Sequence, residues 1–118
     1  MPSSNSLVFE DLANILKKDL YDNIPNELDV LSPHTAVEYV DDVEIYEARI
    51  LDSSIEIAGS AFAQVYTQIG SDGDLFRGEA ITGTHIIPFD FNIVYNFKTS
   101  TIANKDYIFD LNEYYKNQ

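Results

Sequence analysis

Most of the side chains able to do chemistry here are carboxylates. Asp72, Gly73 and Asp74, followed by Glu79, put acids on a glycine-rich stretch, and calcium favours flexible, oxygen-rich loops of that kind. The spacing departs from the EF-hand pattern, which needs acids at alternating positions, then a glycine, then a glutamate six places on. Asp72, Asp74 and Glu79 are therefore metal candidates set against a plainer reading, a Gly/Asp turn whose side chains bond their own backbone. The two imidazoles, His34 and His85, have no serine or second histidine at a spacing that makes a nucleophile–base pair, and there is no cysteine. Thiolate catalysis, cysteine metal sites and disulfides are thereby excluded. His85 shares the parity of Ile87 and Phe89, which aims it with an apolar face as a core or rim residue. A ligand-binding or enzymatic barrel mouth near Asp72, Asp74 and His85 is the alternative. No phosphate-cradling Gly-Lys loop is present, no catalytic residue is assigned, and no cofactor is expected.

Charge is the stronger signal. Twenty acids against seven Lys and Arg give −13, and residues 1–56 hold 13 of those acids with only 3 bases. Between Lys18 and Arg49 every charged side chain is an acid. Such a field repels nucleic-acid phosphates and attracts basic surfaces. Direct DNA or RNA binding is not expected, whereas a basic protein partner is. The densest group, Glu38, Asp41, Asp42, Glu44 and Glu47, with Asp19 and Asp22 beside it, is the predicted partner-binding set. The competing reading is that these charges solubilise the chain and guard a sheet edge.

Two long strands must position these groups. Over residues 53–69 the odd positions run Ser53, Ile55, Ile57, Gly59, Ala61, Ala63, Val65, Thr67, Ile69 and the even ones Ser54, Glu56, Ala58, Ser60, Phe62, Gln64, Tyr66, Gln68, apolar on one side and mixed polar on the other, the period-2 pattern of a half-buried strand. Residues 87–97 mirror it with Ile87, Phe89, Phe91, Ile93, Tyr95 and Phe97. Upstream, Ser6 is a candidate N-cap, and Leu12, Leu16 and Leu20 with Phe9 form a stripe that predicts a helix over about residues 7–20. That stripe either docks on the sheet or offers itself to a partner groove or a second copy. Residues 21–36 read as an acidic loop. In residues 37–50 the apolar parity switches from Val37, Tyr39, Val43 and Ile45 to Tyr46, Ala48 and Ile50, which implies a bulge or break near Ile45. A turn over residues 51–54 makes a hairpin, and Pro88 marks an edge or bulge. Tyr107, Phe109 and Leu111 alternate in a last short strand, before a polar tail over residues 112–118.

Ile55-Glu56-Ile57-Ala58-Gly59-Ser60-Ala61, Tyr66, Gly70-Ser71-Asp72-Gly73-Asp74, Arg77-Gly78-Glu79 and Pro88-Phe89-Asp90-Phe91 stand in that order. The order resembles the small β-rich domain that follows PIN-type nuclease domains in predicted bacterial defence and toxin proteins. The likeness spans residues 43–97. It implies an accessory, interaction-type role; the nuclease acids of such proteins lie in their other domain, so no catalytic residue carries over.

These features predict one domain over residues 1–118, mainly β (α+β): a twisted antiparallel sheet or small barrel of four to six strands over residues 37–111, with one N-terminal helix. The function expected is non-enzymatic, an acidic module that docks to or neutralises a basic protein, as an inhibitor, immunity protein, antitoxin or nucleic-acid mimic does. The alternative is a stand-alone accessory module of a defence assembly that binds through its apolar helix or a strand edge, the same surfaces through which it would self-associate. No apolar run of about 18 residues and no signal-peptide pattern is present, so a cytoplasmic location is expected.

Overall fold

The computed structural model describes residues 11–70, 73, 77–78 and 81–116. Four strands follow the chain: β1 (His34–Ile50), β2 (Ser54–Ile69), β3 (Ile81–Asn96) and β4 (Thr101–Phe109). They pair in sequence order β1-β2-β3-β4, each antiparallel to the next. The result is an open meander. β1 and β4 are its two edges, so the sheet does not close into a barrel.

β2 forms where the alternation places it, and its odd residues from Ile55 to Thr67 are buried while its even ones are mostly half-exposed. Its pairing with β3 runs from Ser54↔Asn96 to Ile69↔Ile81 without a slip. Facing residues of an antiparallel pair lie on the same side, so Ile87, Phe89, Phe91 and Ile93 join the odd residues of β2 in one apolar layer. The two apolar runs on either side of Pro88 are one continuous strand. Pro88 accepts the Asp110 N–H at 2.8 Å where β4 ends. A strand residue points its N–H and C=O to the same side, so the missing proline donor falls on the β4 flank, where that strand is ending, and leaves the ladder to β2 whole.

β1 is less regular. Its register to β2 shifts between Val37 and Tyr39, between Asp41 and Glu44, and between Ile45 and Glu47. The parity switch near Ile45 is thus present, together with two earlier irregularities. At the middle one Asp42 takes φ 53°, a left-handed conformation that aspartate tolerates better than bulky residues. There β1 passes so close to β2 that a Cβ on Gly59 would strike the Glu44 carbonyl oxygen and lie 2.9 Å from Phe91 Cζ. Gly59 is required by that approach, and the Phe91 ring covers the space beside it.

One face of the sheet is roofed. Helix α1 (Leu12–Asp22) buries Leu12, Leu16 and Leu20 completely, and the single turn α2 (Asn26–Asp29) adds Leu28. Each fully buried leucine contributes about 1.5–3 kcal/mol. The leucine stripe is therefore committed to the core and is not displayed to a partner groove, which corrects that alternative. The predicted Ser6 cap and residues 7–10 lie outside the described residues. Within the expected acidic loop the structure has α2, and the expected tail forms α3 (Asn112–Lys116). Tyr114 of α3 meets His85 edge to face at 4.7 Å and donates to the Leu31 carbonyl at 3.2 Å. Among the described residues no helix is long and apolar enough to cross a membrane.

A candidate docking surface

The sheet register builds the second face. Across the strands the even residues of β2 line up in rows: Tyr39–Gln64–Ile86, Asp41–Phe62–Pro88, Glu44–Ser60–Asp90–Ile108, Glu47–Ala58–Asn92–Asp106 and Arg49–Glu56–Val94–Asn104. The described helices all pack on the other side, so these rows face outward. Phe62 is 39% exposed, Ile86 56% and Ile108 65%, and Tyr46 stands beside them, its hydroxyl donating to Ser60 Oγ at 2.6 Å.

Carboxylates flank this apolar group along β1 and toward the rows of Glu47 and Glu56. Asp41, Glu44 and Glu47 come from β1, Glu56 from β2, Asp90 from β3 and Asp106 from β4. Among the sheet residues described, the one cation in these rows is Arg49, and its guanidinium is bound to Glu56 at 3.0 Å. Three shallow depressions mark the face: one, among Glu56, Asn92, Val94, Asn104, Lys105 and Asp106, lies toward β4, and two adjoin the apolar group. Of those two, one is lined by Asp41, Asp42, Phe62, Gln64 and Ile86; the other lies among Tyr46, Ala58, Asp90, Asn92, Asp106 and Ile108.

The acids singled out from sequence divide. Asp41, Glu44 and Glu47 share the outward face, and Asp42 borders it through its bulge. Glu38 sits in the first irregularity, half-buried. Asp19 and Asp22 are on α1, on the roofed side, and do not adjoin the others. Asp19 is engaged there: it accepts from Lys105 Nζ at 2.9 and 3.0 Å and from the Tyr107 hydroxyl at 2.7 Å. Burial, then the hydrogen bond to Asp19 and its negative charge, push the Tyr107 hydroxyl far above its ordinary pKa. The pattern missed Glu56, Asp90 and Asp106 as members of the outward face. Their signal was parity, since Glu56 and Asp90 alternate out of phase with Ile57 and Phe91.

Asp72, Asp74 and Glu79 lie outside the described residues. His85 is on the roofed face, its Nε2 3.3 Å from Thr67 Oγ1, in an open sheet that offers it no barrel mouth. Among the described residues no group of three or more His, Asp or Glu is placed to hold a metal ion.

The fold and its face define a small, mainly β domain, one layer of antiparallel sheet with a helical roof. The chain belongs to the family described as predicted pPIWI-associating nuclease, whose model matches residues 5–115. That membership agrees with the resemblance of residues 43–97 to an accessory domain of predicted defence proteins. No curated protein matches the chain. No solved structure matches it.

Proposed function

We propose that this domain is a non-enzymatic docking module of a pPIWI-associated defence assembly and that it binds a basic protein through its acidic sheet face. The observation that carries this reading is the register, which collects Asp41, Glu44, Glu47, Glu56, Asp90 and Asp106 on one side with a single, already paired arginine. Like charges gathered this way speed encounter with a cationic surface and reject anionic ones. The family's description names a pPIWI as the associate, so the pPIWI protein of the same system is the partner to test. With purified proteins, binding is expected at low salt and strongly weakened at about 0.5 M, where screening reaches within a few ångströms. Asp41→Lys/Glu44→Lys/Glu47→Lys should abolish it. Salt-indifferent binding, or binding that survives this triple variant, overturns the reading.

The word nuclease in the same description carries a competing, enzymatic reading. Given Mg²⁺ or Mn²⁺ and single- or double-stranded DNA or RNA, the chain is expected to leave its substrate intact. Cleavage that disappears in Asp72→Asn/Asp74→Asn or Asp90→Asn/Asp106→Asn would replace the docking role with a catalytic one.

A further inference from the structure

The outward face is more than a charged surface. Antiparallel sheets often keep one face in water, and such faces are then covered with polar side chains. Here Phe62, Ile86, Pro88 and Ile108 stand in adjacent rows, from β2 to the β4 edge. Exposed apolar surface grouped within a polar rim marks interaction sites.

Charge decides what can cover it. A second copy would set one group of acids against another, and nucleic acid would set phosphates against them; both are repelled. A purely apolar segment would bury the acids without counter-ions, which is strongly unfavourable. We infer that the outward face takes an arginine-bearing, otherwise apolar segment of a partner protein, with the guanidinium between the Tyr46 ring and the carboxylates of Asp90 and Asp106 and an apolar side chain between Phe62 and Ile86. This rests on the docking role proposed above. Arginine fits better than lysine because its planar group stacks on an aromatic ring and pairs with carboxylates through a fixed fork. Ala58 leaves room for it at the floor of that depression.

The two depressions that adjoin the apolar group meet β2 at Ala58 and Phe62, four residues apart, or about 13 Å at the rise of a strand. The two anchors of the partner segment must span the same distance, about four residues if extended or about nine if helical.

The test is titration of the full chain with the pPIWI protein of the same system, using five variants whose melting temperatures match the parent. Asp90→Asn/Asp106→Asn and Phe62→Ser are each expected to weaken binding tenfold or more. Tyr46→Phe, which keeps the ring, should bind within threefold of the parent, and Tyr46→Leu should lose at least fivefold. Glu27→Gln/Asp29→Asn, on α2 at the roofed side, should bind like the parent. Binding that is salt-sensitive and lost in the β1 triple variant, yet indifferent to Asp90, Asp106, Phe62 and Tyr46, leaves the docking role standing and overturns this inference. Absence of any binding overturns both.

Discussion

Replacing Asp19 tests how the roof is fastened to the sheet. Its carboxylate joins residues 86 and 88 positions away in sequence, Lys105 and Tyr107 on β4, and its side chain is 12% exposed against 37% for that of Lys105. A hydrogen bond to a charged, mostly buried acceptor contributes about 1.5–3 kcal/mol. The lysine bridge, being more than a third exposed on one side, contributes under about 1 kcal/mol. Asp19→Ala is therefore expected to cost about 2–3 kcal/mol, Tyr107→Phe about 1.5–2 and Lys105→Ala under about 1. For a chain of this size each kcal/mol moves the melting temperature by roughly 4 °C, so Asp19→Ala should melt about 8–12 °C lower by circular dichroism. A double-mutant cycle between Asp19→Asn and Tyr107→Phe should return a coupling of about 1 kcal/mol or more. If Asp19→Ala melts within about 2 °C of the parent, or if Lys105→Ala is more damaging than Tyr107→Phe, the assignment of the main tie to the tyrosine is refuted.

Two further outcomes follow from the same geometry. Gly59→Ala puts a methyl against the Glu44 carbonyl and the Phe91 ring; urea denaturation should report a loss of about 1–3 kcal/mol, and an unchanged midpoint would mean that β1 can lift away freely. The Tyr107 hydroxyl holds its proton more tightly in the folded state, so the folded chain binds more protons than the unfolded one above the ordinary tyrosine pKa of about 10. Stability from this group is present below that pH and falls as pH rises further. Tyr107→Phe should flatten the decline in melting temperature between about pH 10 and 11.5 relative to the parent, and parallel curves would contradict it.

Much of this fold was legible because β2 and the second half of β3 alternate cleanly and α1 carries leucines every four residues. Local periodicity tells which side of a strand is buried, and Ile55, Phe89 and Leu16 were placed correctly by it. It is blind to closure, which depends on whether the edge strands meet; hence a barrel was as readable as the open sheet. It is also blind to short turns of helix. α2 and α3 have 4 and 5 residues, too few for a repeat to show, and they are held by Leu28 and Tyr114 docking rather than by propensity. The acidic face was legible only in its β1 portion. Asp41, Glu44 and Glu47 are near one another in sequence, whereas Asp90 and Asp106 reach them through register, which three bulges in β1 and one shift between β3 and β4 modify. Asp19 looked like a neighbour of that group because it is close along the chain. The packing of α1 on the opposite side separates them.

The unbroken ladder between β2 and β3 also makes the molecule a lath. Its longest dimension is 52 Å, against 28 and 22 Å across, and the inner pair of strands runs that length without a slip to act as a hinge. Anything tethered at one tip is thus held at a nearly constant reach from anything gripped near the other. In the assembly proposed above such a part would act as a stiff spacer as well as a docking surface, and would set where its neighbours stand.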